Sequence, residues 1–440
     1  MRKEKVYKIS LDGFMLTHYF TDIMVLYWYN GLEFNECNTS APVGATVLSM
    51  KRANMNIALF ADTAIPIVDG VGRVIKAYAE HINKKGHKCF VAVPDADRDF
   101  DDNVYQFEIL RFAGIHITGT QYKFGMPFAD IGFMREVDRR AIDIVHVHSP
   151  FTAGLAGHSI ARKRNIPVVA TFHSKYYDDF YKYTHMKVAS EIGIKYVVEY
   201  YKKCDEVWAV SAATAETLKE YGYVRDIVTM LNGADPKVRN VQEIEKVRIK
   251  YSLGGSPVIL YVGQMDWKKN ILHIINTCSS LRDIGLGFKL VFAGQGPDEA
   301  EIRKKVEELH LSDNTVFCGH IYDQQELDAL YFSGDLFFFP SYYDNAPMVV
   351  REAAAAGLPC ILARGSNSSE IIEDKVNGLL GGERAKDDAE MIAGVLARPE
   401  YLAQLRLRAK ASIPVYWEDM MDKALDRYSA LIKTHPDRKR

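Results

Sequence analysis

Followed by the spacing of its apolar and polar positions, the chain becomes regular at Met55. "MNIALFAD" (55–62) is a short apolar run closed by polar residues, the pattern of a buried parallel strand. Val71, Val74, Ile75, Tyr78 and Ile82 then recur at helical spacing within "GVGRVIKAYAEHINKKGH" (70–87), and Gly86 is a stop signal. "KCFVAVP" (88–94), "AIDIVHVH" (141–148), "IPVVATFH" (166–173) and "EVWAVS" (206–211) predict four more strands, with helical stretches between several of them. A polar, charged zone near 232–256 separates this series from a second. The second series has strands "VILYVG" (258–263), "FKLVFAG" (288–294), "NTVFCG" (314–319), "DLFFFPS" (335–341) and "LPCILA" (358–363). Helices fit at 270–283, 298–310, 324–333 and 347–356, and an amphipathic stretch at 417–433 precedes a basic "DRKR".

Strands alternating with helices predict an α/β protein built from two doubly wound parallel-sheet domains in tandem. The expected limits are an N-terminal extension over 1–54, a first domain over 55–235 and a second over 236–413. Residues 414–440 should form a helix packing back on the first domain, then the basic tail. Ligands of open α/β sheets bind beyond the carboxyl ends of the strands. Two such domains facing each other would make a cleft there, lined by the polar residues that close each strand.

Composition narrows the partners. The 440 residues are 48% hydrophobic, enough for sizeable cores. The net charge of -2 gives no global cationic field for nucleic acid. Cys37, Cys89, Cys204, Cys278, Cys318 and Cys360 show no CxxC spacing, and Cys89, Cys318 and Cys360 sit inside apolar runs. They read as reduced core thiols of a cytosolic protein. No apolar run reaches the roughly 18 to 20 residues of a membrane span. "IMVLYWY" (23–29) is short, follows His18 and Asp22, and has no small-residue cleavage site, which argues against a secretory signal. Met50 and Met55 are alternative starting residues.

Several stretches carry candidate chemistry. Gly70 and Gly72 open a helix whose free amides would suit a phosphate. As a dinucleotide fingerprint, with Asp95 on a ribose, they fail: "TAIPIVD" (63–69) separates them from the strand. His146 and His148 share one face of a strand, but no carboxylate or thiolate is spaced to complete a zinc site with His173. The five acids of "PDADRDFDD" (94–102) fit a solvated loop better than a cation-holding DxD. In "YVGQMDWKKN" (261–270), Lys268 and Lys269 stand at a strand-to-helix junction, where lysine can meet a diphosphate. Gly294 and Gly296 in "FAGQGP" (292–297) mark either a close approach of backbone to a ligand or a plain turn.

"YYDNAPMVVREAAAAGLP" (342–359) places Asp344 in a loop and Glu352 more than a turn inside the next helix. Pro347 suits that helix's first turn, where no N–H is needed. A carboxylate accepts hydrogen bonds from vicinal hydroxyls. Two acids flanking amides at a helix start could hold two polyols with a phosphate between them, as in a nucleotide-sugar. A solvated helix face is the plain alternative.

From about Met55 to about residue 430, the chain resembles the family 4 retaining glycosyltransferases of the GT-B fold, with two Rossmann-like domains facing across a cleft. The paired acids followed by "AAAAGLP" (353–359) carry the resemblance. "HSPF" (148–151), "TFHS" (171–174), "YVGQMDWKKN", "FAGQGP", "SSEII" (368–372) and "NGLL" (377–380) support it by order and spacing. The resemblance implies that Lys269 binds the donor diphosphate, Glu352 the ribose, and Asp344 the sugar hydroxyls and anomeric centre. Gly70 and Gly72 would let the first domain approach the donor, and His173 would sit beside the reacting sugar, catalytic with Asp344. Gln264, Lys268, Gly294, Met348, Val349 and Glu370 would complete the donor pocket. Neither metal nor other cofactor is implied, and transfer would follow a front-face displacement.

Three positions depart from the family pattern. Gln264 stands where an arginine is common, so phosphate binding is either weaker or met by Lys268 or Arg73. Asp344 is one methylene shorter than the usual glutamate. Pro347 replaces a frequent glycine and removes an amide. For the acceptor, "TFHSKYYDDFYKYTH" (171–185) resembles the segment of members that glucosylate diacylglycerol on the cytoplasmic membrane face. Ile192, Tyr196, Val197 and Tyr200, ringed by Lys187, Lys195, Lys202 and Lys203, would suit peripheral contact with anionic lipid, as would Arg162, Lys163 and Arg164. The same stripe also fits a core face. A soluble or polyprenyl-linked saccharide acceptor, a nucleotide-sugar epimerase and a silent nucleotide-sugar binder remain as alternatives. The expected location is the cytoplasm, extending to the inner face of the cell membrane.

Overall fold

A computed structural model of the chain describes residues 54–63, 69–96, 100–117 and 123–436. Nearly all of the 1–54 extension, the middle of the acid-rich segment and the "DRKR" tail lie outside these residues. The chain divides into two compact units, one of 1–53 with 176–196 and one of 54–175 with 197–440. In the first, the described part is helix Tyr176–Thr184 and the opening turns of helix Lys187–Lys202. Met186, Val188 and Ile192 are exposed there, alongside exposed Lys187 and Lys195. Two of the four stripe residues, Val197 and Tyr200, are buried, so at those positions the stripe is core.

The second unit holds both sheets. Strands β1 (Asn56–Phe60), β2 (Lys88–Pro94) and β3 (Glu108–Phe112) are followed by a hairpin of β4 (Gly114–His116) and β5 (Lys123–Gly125). Then come β6 (Ile144–Val147), β7 (Val168–Phe172), β8 (Glu206–Ala209) and β9 (Val228–Thr229). The first sheet has the order β3-β2-β1-β6-β7-β8-β9. The second contains β10 (Val258–Val262), β11 (Lys289–Ala293), β12 (Thr315–Gly319), β13 (Leu336–Phe339), β14 (Cys360–Ala363) and β15 (Leu379–Gly381), in the order β12-β11-β10-β13-β14-β15. Every pairing within these two sheets is parallel. In each, the order reverses beside the first strand, between β1 and β6 and between β10 and β13. Those reversals open a crevice at the carboxyl ends, the ligand site of doubly wound sheets.

Burial explains the strands. β10, β13 and β14 are buried at every position, as expected of central strands covered on both faces. The C-terminal helix Trp417–Thr434 joins the core of the first sheet through Trp417, Met420, Met421, Ala424, Leu425 and Tyr428. Met348, from the second half of the chain, lies in that same core. Cys89 and Cys360 are buried and Cys318 is partly so, all as free thiols.

The polar zone at 232–256 contains helix Val241–Lys250, capped by Asn240, with Ile244 and Val247 buried. One local expectation is corrected. Pro347 is the N-cap of helix Met348–Ala355 rather than a member of its first turn. Its ψ of 120° is extended, so the helix begins one residue later.

Candidate functional site

The site is built at the two reversal points. After β10, the chain makes a short 3-10 turn, Trp267–Lys269, and Asn270 takes a left-handed conformation before helix Ile271–Asp283. The two lysines therefore sit in the turn, not directly at the helix start. Lys269 is buried, and its Nζ reaches Asp344 Oδ1 at 2.6 Å. Lys268 Nζ lies 3.4 Å from Asp266 Oδ2. Both ammonium groups lie over the Tyr343 ring, at 4.6 and 5.0 Å from its centre. Ser341 closes β13 fully buried, and its hydroxyl donates to Asp344 Oδ2 at 2.6 Å. The acid is thus fixed at both oxygens.

Glu352 is buried one helix turn further on. One carboxylate oxygen pairs with Arg73, and the other accepts from the Tyr331 hydroxyl at 2.9 Å. Burial alone would raise its carboxyl. Arg73, then Lys237 and the Tyr331 hydroxyl outweigh burial, and the group sits below the usual carboxylate range. Arg73 in turn is held protonated above its ordinary value, first by Glu352. It is therefore engaged with a carboxylate rather than standing free to replace the charge missing at Gln264. Gln264 is half-buried, and its backbone carbonyl accepts from the Tyr261 hydroxyl at 2.8 Å.

The glycines separate into two kinds. Gly294, at φ +138°, would place a Cβ 1.9 Å from the Gly263 carbonyl oxygen, and a Cβ on Gly296 would come within 2.4 Å of the Met265 carbonyl oxygen. The close approach that demands glycine is therefore between neighbouring loops. Gly70 opens helix Gly70–Lys84 with nothing within 4 Å of a Cβ. Gly72 is buried and its amide donates to the Asp69 cap at 2.7 Å, so that amide is not free for a phosphate.

On the first sheet, three imidazoles lie against one another near the carboxyl ends of β6 and β7, His148 and His173 stacked and His146 tilted against His148. His146 and His148 rings are 4.1 Å apart, and His148 Nδ1 shares a hydrogen bond with His173 Nε2 at 3.1 Å. His146 is bonded at both nitrogens to hydroxyls, those of Tyr428 and Thr171. Burial pushes His146 and His148 well below the usual imidazole range and His173 down to about 3. All three are neutral near pH 7.

Contacts across the crevice join the halves. Asn345 Nδ2 donates to the His173 carbonyl at 2.8 Å, and Lys175 donates to the Tyr342 carbonyl at 3.1 Å. Glu370 is placed at the start of helix Ala212–Glu220, accepting from the Ala213 amide at 2.7 Å. Lys269, Asp344, Glu352 and the helix start carrying Met348 and Val349 form one group. Arg73, next in sequence to Gly72, and Asn345, bonded to the His173 carbonyl, link this group to the first sheet, while Glu370 is occupied with a helix end.

Three residues escaped the sequence reading. Ser341 and Asn345 flank Asp344 and fix it or its loop. Asp62 closes β1, where a polar strand end could have flagged it. Its carboxylate accepts from Ser149, Thr152 and the Ala153 amide at 2.5, 2.6 and 2.9 Å. Burial still raises that carboxyl.

Comparisons with known proteins bear on this geometry. The profile described as "Glycosyltransferase Family 4" matches residues 68–238, and "Glycosyl transferases group 1" matches 243–412. The chain is 26% identical to the alpha-monoglucosyldiacylglycerol synthase of Streptococcus pneumoniae over 339 residues, covering 74% of this chain and 75% of that protein. It is also 26% identical to the GDP-mannose-dependent alpha-mannosyltransferase of Corynebacterium glutamicum, over 74% and 76% of the two chains. The crystal structure of Anabaena HepE with UDP and glucose superposes with a TM-score of 0.71 at 17% identity, covering 86% of this chain and all of that one.

Proposed function

This chain belongs to the family 4 glycosyltransferases, hexosyl-transferring enzymes with the GT-B fold, and on that premise we propose that it is a retaining enzyme using a UDP- or GDP-linked hexose. The acceptor we propose is a hydroxyl of a membrane glycerolipid such as diacylglycerol. The observation that carries the donor reading is the pair of acids on either side of one helix start, each facing a cation, at the crevice between β10 and β13. Lys269 takes the diphosphate, Asp344 the sugar hydroxyls and Glu352 the ribose hydroxyls. Gly70 gives the donor open space at the first sheet's helix start.

In the reaction, the acceptor oxygen bonds to the anomeric carbon on the face the diphosphate is leaving. The bond from that carbon to the phosphate oxygen breaks, and the hydroxyl proton passes to the departing phosphate oxygen. Negative charge grows on the diphosphate, where Lys269 and the helix-start amides stabilise it. The neutral imidazoles place no positive charge beside the oxocarbenium-like sugar.

Two features support a lipid acceptor. Ile115 and Phe124 oppose each other across the β4–β5 hairpin, and both are exposed, as are Phe128 and Ile131 just beyond. Exposed apolar groups of this kind suit a membrane surface. Among the described residues no helix is long and apolar enough to cross one. One relative is named for a diacylglycerol product. The test is incubation with UDP-glucose or GDP-mannose and diacylglycerol vesicles, reading nucleotide release, product mass and anomeric configuration. An α-linked glycolipid is expected. A β-linked product overturns retention, a product only on saccharide overturns the acceptor, and no nucleotide release overturns the donor reading.

A further inference from the structure

Lys269 and Asp344 neutralise each other at 2.6 Å, with side chains only 11% and 19% exposed. Ser341 pins the carboxylate's other oxygen, and the Tyr343 ring lies along the ammonium. Taking one partner from a largely buried ion pair is costly, because the remaining charge is left without water or counter-ion. An intact nucleotide-sugar supplies a replacement for each: phosphate oxygens for Lys269 and sugar hydroxyls for Asp344. A nucleoside diphosphate supplies only the first, and it brings further negative charge toward an acid that has lost its counter-ion.

We propose that the Lys269–Asp344 pair discriminates the intact sugar donor from the spent nucleotide, so that loss of the sugar weakens the hold on the product. The idea rests on the donor site assigned above and adds a second task for Asp344. While the sugar is present, the acid is satisfied by hydroxyls. Once the sugar has gone, Lys269 and Asp344 regain each other by expelling the diphosphate. Ser341 keeps the carboxylate aimed so that a single oxygen is contested.

The consequence is unusual for a ligand-binding residue, since removing its charge should improve binding of one ligand. Calorimetric titration with UDP and UDP-glucose, and with GDP and GDP-mannose, tests it on the full chain and on Asp344→Asn, with folding checked by thermal melting. Asp344→Asn should bind the nucleoside diphosphate about tenfold more tightly and the nucleotide-sugar no more tightly than before. An unchanged or weaker affinity for the diphosphate overturns the proposal while leaving the glycosyltransferase reading intact, provided the unaltered chain releases nucleotide. Failure of the unaltered chain to bind any of the four ligands removes both. Should the variant not fold, product inhibition of the unaltered enzyme decides. An inhibition constant for nucleoside diphosphate above the donor KM supports the pair's role, and one at or below it overturns that role.

Discussion

Near the ends of β6 and β7, His146, His148 and His173 lie ring against ring, neutral and close together. Beyond β10 and β13, Lys269, Asp344 and Glu352 are charged and matched in pairs, the last with Arg73. The strand order leading to the two places is the same, so the topology supplies the crevice and the side chains decide its chemistry. Burial allows two economies of charge: groups that give up ionisation can crowd together, whereas groups that keep it require a partner within reach. The first sheet uses the former and the second sheet the latter.

The largest effect should come from breaking a charged pair. Lys269→Ala is expected to lower kcat/KM about 100- to 1,000-fold, read by nucleotide release, and Lys268→Ala by less than about tenfold. Equal losses would erase the distinction between the buried and the outer lysine. Next comes the contrast between glycines. Gly294→Ala should cost about 2 to 4 kcal/mol in denaturant unfolding, because the Gly263 carbonyl occupies the space. Gly70→Ala should leave stability unchanged or slightly raised, and lower turnover instead.

Acidification separates the two ends by pH. Unfolded histidines bind protons below about 6.5, while the buried ones stay neutral, so the unfolded state gains protons and stability falls as the pH drops from 7 to 5. Differential scanning calorimetry should show that fall, and His148→Gln should flatten it. Glu352 acts lower. Its depressed folded value contributes stability present above its ordinary 4.5 and lost as the pH falls through the folded value; Arg73→Gln removes the chief lowering influence, leaves burial to raise the carboxyl, and should move that loss to higher pH. The smallest effect concerns the hairpin. Phe124→Ser should slow transfer to vesicles by about two- to fivefold and leave transfer to a short-chain, water-soluble glycerolipid unchanged.

The strands were legible wherever burial on both faces produced a continuous apolar run. β3, with the sequence "EILRF", is only partly buried at most positions, and β15 has three residues, so neither leaves such a run. Helix Pro399–Ser412 buries only Leu405 and Ala409, too few to set a period. In the site, Lys269, Asp344 and Glu352 were legible because they fall at strand ends and a helix start. Their partners were not. Arg73 and Glu352 are 279 positions apart, and nothing local to either announces the other. Gly294 could be read as a ligand contact or a turn because sequence reveals the need for space without naming what fills it.

Met348 gives the crevice a mechanical property. The residue belongs to the helix that carries Glu352, yet its thioether is seated in the greasy interior of the other half. Prying the halves apart would pull that plug from its socket and tug Glu352 with it. The same short helix is thus a lever with its fulcrum between the sheets, and in the proposed donor site the hold on the ribose would loosen as the jaws separate.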